Sequence, residues 1–68
     1  MRTEEEIEDM LEEMTQSEKY YELAGVELTP EDAERVFGYI EEDGKTRDEA
    51  IGIVLEEIRD VLSEGWEF

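Results

Sequence analysis

RDEAIGIVLEEIRDVLS, residues 47–63, carries the widest apolar stripe in this chain of 68 residues. Its apolar side chains recur every three or four residues and are Ala50, Ile51, Val54, Leu55, Ile58, Val61 and Leu62, with Ile53 to the side. Because an α-helix completes a turn in about 3.6 residues, this spacing places them on one helix face. The stretch is therefore predicted to form the central helix of the fold.

Two further segments have helical periodicity. Their apolar residues are Ala33, Val36, Phe37 and Ile40 in segment 30–43, and Ile7, Met10, Leu11, Met14, Tyr21 and Ala24 in segment 4–24. Thr-Gln-Ser-Glu at 15–18 interrupts the latter stripe, which predicts either two shorter helices or one bent helix. Between the helices, only residues 26–28 suggest a short extended piece. The sequence thus predicts one all-α, compact three-helix domain over residues 1–68, with the first helix bent or split.

Helix starts and stops are marked by local signals. Threonine followed three residues later by an acid is typical of a helix N-terminus, and it occurs as Thr3 with Glu6, Thr29 with Asp32, and Thr46 with Glu49. Pro30 strengthens the second of these starts. Glycines that can adopt a left-handed conformation after a helix end are Gly25, Gly44 and Gly65.

Charge is the dominant property of the chain. It has 23 Asp and Glu against six Lys and Arg, a formal net charge of −17, or about one net negative charge for every four residues. Direct binding to nucleic-acid phosphates or to an anionic membrane requires the opposite sign. No apolar run approaches a membrane span and the first ten residues do not resemble a signal peptide, so a soluble, cytoplasmic protein is expected. Without cysteine or histidine to reinforce so small a core, a homodimer is a further expectation.

The composition also argues against catalysis. The chain has no His, no Cys and two serines, and neither Ser17 nor Ser63 has an adjacent His or Lys to activate it. A twelve-residue calcium loop with Gly44 at its sixth position would require Asp at 39 and Glu at 50, where the sequence has Tyr39 and Ala50. A looser cation site at residues 41–43 is the open alternative. We expect no enzyme activity, no cofactor and no dedicated metal site.

Some acids have a structural explanation. Acids in the first turn of a helix interact favourably with the helix dipole. These acids are Glu4, Glu5, Glu6, Glu31, Asp32, Asp48 and Glu49. Local ion pairs are expected for Glu31 with Arg35, Glu41 with Lys45, and Glu56 with Arg59, provided that the helix continues between the two residues.

Other acids oppose folding. Like charges four residues apart are Glu4 and Glu8, Glu5 and Asp9, Glu8 and Glu12, Asp9 and Glu13, Glu56 and Asp60, and Asp60 and Glu64. At roughly 0.2–0.5 kcal/mol for each pair, they cost about 1–3 kcal/mol at low salt. YIEEDG at 39–44 adds three acids at a helix C-terminus, where the dipole is already negative.

Two explanations account for acids kept at this cost. A cytoplasm near molar salt would screen the repulsion and use the charge for solubility, which describes a salt-adapted interaction module or homodimer. Alternatively, a basic groove that normally holds nucleic acid would accept carboxylates spaced about 6 Å apart along a helix. The acids predicted to contact such a partner are Glu8, Asp9, Glu12, Glu13, Glu41, Glu42, Asp43, Glu56, Asp60 and Glu64.

In size and charge, the chain resembles the small acidic inhibitors made by phages and mobile elements, namely antirestriction proteins and DNA-mimicking anti-CRISPR proteins. The resemblance extends over composition and involves no sequence motif. It implies a stoichiometric inhibitor that occludes the nucleic-acid-binding surface of a basic partner, such as a nuclease or a CRISPR surveillance complex.

Aromatic residues offer further candidate contacts. Trp66 and Phe68 follow the last helix stop and are expected either to extend the core or to act as anchors for a partner or a second copy of the chain. Tyr20 and Tyr39 lie off the apolar stripes and are predicted to flank an acidic patch.

Overall fold

The computed structural model describes residues 2–23 and 25–64, with the backbone alone for residue 64. In these ranges the chain forms four helices and no strand. They are α1 (Glu4–Thr15), α2 (Glu18–Tyr21), α3 (Pro30–Glu42) and α4 (Arg47–Glu64). The all-α class and the three substantial helices predicted from the apolar periodicity are confirmed.

The predicted threonine caps form. The Thr3 hydroxyl accepts the Glu6 backbone N–H at 3.2 Å, and the Thr46 hydroxyl accepts that of Glu49 at 3.2 Å. At the start of α3, the Thr29 backbone N–H donates to the Asp32 carboxylate at 2.9 Å. These contacts satisfy donors that helix geometry leaves without an intrahelical partner. Gly25 and Gly44 have φ of 88° and 67°, so both take the left-handed conformation expected after a helix end, whereas Gly65 lies outside the described residues.

The first segment is split. α1 ends at Thr15, whose hydroxyl donates to the Glu12 backbone carbonyl at 2.7 Å instead of capping the next helix. Ser17 takes the extended conformation and begins the single turn of α2. Thr15 therefore continues α1, and its hydroxyl satisfies a carbonyl of that helix.

The core lies between α1, α3 and α4. Its buried residues are Met10, Met14, Leu23, Ala33, Val36, Ala50, Ile51, Val54 and Leu55. α4 contributes the largest share of them, as expected of the helix with the widest stripe, but it is α3 that packs against both α1 and α4. α2 packs against α4 and α1. The central helix is therefore α3 rather than α4, because the short connection after Gly44 reverses the chain and packs α4 against α3.

The break after Thr15 changes which tyrosine faces the core. Tyr21, predicted on the apolar stripe, is 74% exposed. Tyr20 instead packs against the core and donates its hydroxyl to the Val26 carbonyl at 2.7 Å. Leu23 is buried although the stripe omitted it. The apolar periodicity of α1 cannot be extended through residues 15–18, because residues 16 and 17 are not helical. The side chains that follow therefore point in directions that the periodicity of α1 does not predict. Ala24 lies outside the described residues.

The connection from α2 to α3 has no regular structure at residues 26–29. Val26 and Leu28 pack against the core, while Glu27 between them is exposed. The extended piece predicted there consequently forms no strand. Within the described ranges, no helix combines the length and the apolarity needed to cross a bilayer.

Gly38 in the middle of α3 leads to a stability prediction. A Cβ added there would meet only the end of the Glu42 side chain, at 3.9 Å. Glycine in a helix interior costs about 0.5–1 kcal/mol relative to alanine. We expect Gly38→Ala to raise the free energy of unfolding by about 1 kcal/mol, measured by urea denaturation.

Gly44 is the matched control for this substitution. Its φ of 67° disfavours any side chain, so Gly44→Ala should lower the free energy of unfolding by about 1 kcal/mol. If both substitutions changed stability in the same direction, the assigned ends of α3 would be incorrect.

Candidate acidic binding surface

The few cations connect different parts of the fold. Among the described residues there are five ion pairs, and each joins two parts of the chain that are distant in sequence: Arg2 with Glu41, Lys19 with Glu56, Arg35 with Glu57, Arg47 with Glu13, and Arg59 with Glu22. The N–O distances of the second to fifth pairs are 2.8, 2.5, 2.9 and 3.9 Å. Arg2 also lies over the Phe37 ring, 4.3 Å from its centroid.

This pattern corrects the local ion pairs expected from the sequence. Arg35 binds Glu57 rather than Glu31, and Arg59 binds Glu22 rather than Glu56. Lys45 makes no ion pair with the described part of the chain, because Gly44 ends the helix between it and Glu41. The cations therefore serve tertiary packing, and the acids along each helix surface keep their mutual repulsion.

Three predicted contact residues are already engaged. Glu13, Glu41 and Glu56 each accept a cation from another element. Their carboxylates are 44%, 63% and 62% exposed, so these pairs are surface pairs. Surface pairs contribute only about 0–1 kcal/mol each. A cationic partner would still have to compete with the resident cation, which makes these acids weaker candidates than unpaired ones.

Glu8, Asp9 and Glu12 belong to the outer surface of α1. Met10 and Met14 face the core from that helix. At about 100° for each residue, the positions opposite the buried side are Glu5, Asp9 and Glu12, with Glu8 beside them. All four are exposed, and none forms an ion pair with the described residues. We call these four residues, Glu5, Glu8, Asp9 and Glu12, the α1 acidic face.

Sequence reasoning missed Glu5, because first-turn acids have an alternative explanation in the helix dipole. Glu5 is exposed on the side of α1 opposite Met10 and Met14. This placement could have been predicted from the positions of the apolar residues along the helix. The face extends over about 10 Å along the axis, from position 5 to position 12.

The turn after α3 lies close to α1. The pair of Arg2 with Glu41 brings the beginning of α1 to the last turn of α3, and the pair of Arg47 with Glu13 brings the end of α1 to the first turn of α4. α1 therefore lies along the α3–α4 turn, where Glu42 and Asp43 are exposed. Five of the predicted contact acids lie on α1 or at this turn and form no ion pair within residues 2–23 and 25–64: Glu8, Asp9, Glu12, Glu42 and Asp43.

A second run of acids lines the outer side of α3. A shallow groove of about 670 Å³ is bordered there by four acids and one cation, with Gly38 and Tyr39 between them: Glu31, Glu34, Glu42, Asp43 and Arg35. The sequence assigned Glu31 to a local pair with Arg35, but Arg35 points to α4. Glu31 therefore does not pair with Arg35. This could be learned only from the tertiary contact between Arg35 and Glu57.

The remaining predicted acids are on α4. Asp60 is exposed, but it lies 13 residues, or about 20 Å along the helix axis, from Arg47 at the end that approaches α1. The Glu64 side chain lies outside the described residues. The structure therefore groups the α1 and turn acids together and places Asp60 apart from them.

The tyrosines proposed to flank an acidic patch have structural roles. Tyr39 donates its hydroxyl to Glu57 at 2.9 Å, and this hydrogen bond to a carboxylate raises the pKa of Tyr39 above its ordinary value. Tyr20 is used in the core contact with Val26. Tyr21 is the exposed tyrosine, and the anchor candidates Trp66 and Phe68 lie outside the described residues.

Lys19 and Glu56 allow a test of the tertiary ion pairs. Lys19, through its hydrogen bond and its charge, holds the pKa of the Glu56 carboxyl below its usual value of 4.5. The pair therefore adds stability above pH 4.5, and this stability is lost as the pH falls through the lowered folded-state pKa. We expect Lys19→Gln to raise the pKa of Glu56, measured by ¹³C NMR titration of the side-chain carboxyl.

Glu34 in the same spectra is the control, since it is exposed on α3, a helix that does not pack against α2. The chemical shift of its carboxyl carbon at neutral pH should be the same in the Lys19→Gln variant as in the parent chain. An unchanged Glu56 titration would contradict the ion pair.

In residues 2–23 and 25–64, no group of three or more acidic side chains is arranged to hold a metal ion. Residues 41–43, the looser cation site considered above, are exposed, and Glu41 is paired with Arg2. The carboxylates of the described region thus lie separately on the helix surfaces and do not form a cluster that could bind a metal ion. Comparisons with known protein families, with curated proteins and with solved structures give no match for this chain.

Proposed function

We propose that the chain is a stoichiometric acidic binding protein that occludes the basic, nucleic-acid-binding surface of a partner, in the manner of DNA-mimicking anti-CRISPR or antirestriction inhibitors. The partner is a basic protein or complex, and the chain itself contacts neither nucleic acid nor membrane. The proposal includes no catalysis and no cofactor, and it places the protein in the cytoplasm as a product of a virus or mobile element.

One observation carries the proposal. The cations that form ion pairs are all used between elements, so the α1 acidic face has no counter-charge among the described residues. A cation placed along α1 would relieve repulsion between residues four apart, yet none is present. A row of Lys and Arg on a partner would supply it, and complementary charge accelerates association through electrostatic steering.

Charge reversal on α1 separates binding from folding. Glu8 has acidic neighbours at positions 4 and 12, so Glu8→Lys replaces two repulsions by two attractions. We expect it to raise the free energy of unfolding by about 1 kcal/mol and to weaken partner binding at least about tenfold. The measurements are urea denaturation and titration of the purified partner.

Glu27→Lys is the matched control, because it makes the same charge change on the α2–α3 connection, away from α1. It should leave partner binding within about threefold of the parent value, since only rim charge is altered. Equal weakening by both variants would mean that net charge, rather than the α1 acidic face, determines binding.

The partner itself is found by capture at low salt. At about 0.1 M salt the chain should retain a basic nucleic-acid-binding protein that duplex DNA displaces, and at about 1 M salt the complex should dissociate. The alternative is the salt-adapted module or homodimer, whose charge serves solubility. That alternative predicts a chain that loses helix content at low salt and captures no DNA-displaceable protein.

A further inference from the structure

The same pattern of three residues occurs on α3 and on α4: a glycine with one acid four residues before it and another four residues after it. It consists of Glu34, Gly38 and Glu42 on α3, and of Asp48, Gly52 and Glu56 on α4. Because residues four apart lie on one face of a helix, each glycine is flanked by two carboxylates. Each set lines a surface groove, here called the α3 groove and the α4 groove, of about 670 Å³ and about 740 Å³.

The α4 groove already holds a lysine of the same chain. The Lys19 side chain lies over Gly52, since a Cβ added to that glycine would be 3.4 Å from Nζ and 3.8 Å from Cδ and Cε. Its ammonium group donates to Glu56 at 2.8 Å. A glycine lets the lysine methylenes approach the helix backbone, and such methylenes pack along exposed helix surface. This contact identifies the kind of side chain that a groove of this composition accepts.

No side chain lies over Gly38 in the same way within the described part of the chain. A Cβ added to Gly38 would meet only the Glu42 Oε2 atom, at 3.9 Å. Neither Glu34 nor Glu42 forms an ion pair with the described residues. Arg35 also borders the α3 groove, but its guanidinium binds Glu57. The described structure therefore repeats on α3 the glycine and the two acids of α4, without the lysine.

Charge makes the α3 groove attractive to a cation. Its border has one cation, Arg35, and four acids: Glu31, Glu34, Glu42 and Asp43. Glu42 is the last residue of α3, where the helix dipole adds negative potential. The acids at this end oppose their own helix, and a bound ammonium group relieves that cost.

We propose that the α3 groove binds a lysine side chain of a basic partner, with the methylenes on Gly38 and the ammonium group at Glu42. The contact reproduces that of Lys19 in the α4 groove. The basic partner rests on the proposed function, whereas the contact residues lie outside the α1 acidic face. The contact gives a reason for a glycine in the middle of α3, where alanine would make a more stable helix. A second copy of the chain is a poor source of the lysine, because two chains of net charge −17 repel each other.

A tetralysine peptide tests the groove without the partner. In an NMR titration of the full chain at low salt, we expect the Gly38 amide resonance to shift. Intermolecular NOEs should join the lysine methylene protons to the Gly38 Hα protons. The Gly52 amide should respond only in the Lys19→Gln variant, which frees the α4 groove for the peptide. That variant is the positive control for the chemistry of the pattern.

Two substitutions locate the contact. Glu42→Gln should weaken peptide binding, followed at the Gly38 amide, by about two- to fivefold, the effect of one exposed ion pair. Gly38→Leu should abolish the peptide-induced shift of the Tyr39 amide while the circular dichroism of the helices is kept. Glu18→Gln is the matched control, because it makes the same charge change on α2, which does not pack against α3. It should leave the affinity measured at Gly38 unchanged.

The other outcomes overturn the proposal. Peptide contacts confined to α1, or equal weakening by Glu42→Gln and Glu18→Gln, would mean that net charge rather than the α3 groove attracts lysine. A Gly38 resonance that shifts with protein concentration in the absence of peptide would assign the groove to a second copy. A captured partner that binds Gly38→Leu and the parent chain equally would overturn the groove contact and leave the proposed function. Peptide contact at Gly38 without any DNA-displaceable partner would overturn the proposed function and leave the lysine chemistry of the groove.

Discussion

Replacing Leu55 with alanine is expected to lower the free energy of unfolding by about 3 kcal/mol. Leu55 is 1% exposed and belongs to the buried core of the fold. The substitution removes buried apolar surface and leaves a cavity, because the neighbouring helices can close only part of the gap. The measurement is urea denaturation followed by circular dichroism.

The effect is large relative to the whole domain. At about 0.05–0.15 kcal/mol for each residue, a chain of 68 residues has a total stability of about 3–10 kcal/mol. Leu62→Ala makes the same chemical change on the same helix at a site that is 38% exposed, so it should cost about 1 kcal/mol or less. Equal losses from the two variants would show that α4 does not bury the Leu55 side.

Raising the salt concentration is expected to stabilise the fold by about 1–2 kcal/mol. Between about 0.01 M and 1 M, the Debye length falls from about 30 Å to about 3 Å, which screens repulsion among exposed carboxylates. Four like-charge pairs on α1 and two on α4 are the nearest contributors. The five ion pairs weaken at the same time, and because they are exposed they offset only part of the gain.

The Glu8→Lys variant is the control for the salt prediction. It removes two of the like-charge pairs on α1, so its stability should increase less with salt than that of the parent chain. Denaturation curves at a series of salt concentrations give the comparison. Stability that decreases with salt would mean that the tertiary ion pairs outweigh the repulsion.

Folding and binding should respond to salt in opposite directions. Screening relieves repulsion within the chain, but it also weakens attraction between the α1 acidic face and a basic partner. A carboxylate such as Glu8 therefore costs stability in the free chain and contributes to affinity in the proposed complex. This opposition distinguishes an acidic inhibitor from a protein whose charge serves solubility alone.

The helices could be predicted from the sequence because their signals are local. Thr3, Thr29 and Thr46 each act within a single turn, and Gly25 and Gly44 act on their own backbone angles. The apolar stripes of α3 and α4 identified the core face of each helix. The same reasoning failed where two helices meet, since Tyr21 was assigned by counting through a break that only packing explains.

The partners of the cations could not be predicted from the sequence. Glu31 and Arg35 have the right spacing for a local pair, yet Arg35 gains a closer contact with Glu57 on α4, where Tyr39 also donates. Local spacing indicates only which neighbours are within reach. A flexible side chain selects among all charges that the fold brings near, and most of those are distant in sequence.

The amino-acid sequence alone determined the helical class, the starts of α1, α3 and α4, the core face of each long helix and the net charge of −17. These depend on interactions among residues within a few turns of one another. Tertiary structure decided which carboxylates have a counter-charge among the described residues: Glu13, Glu41 and Glu56 are paired, whereas the α1 acidic face is not. The physical reason is that Coulomb attraction depends on distance in space, which the packing of α1, α3 and α4 sets and the order of residues does not.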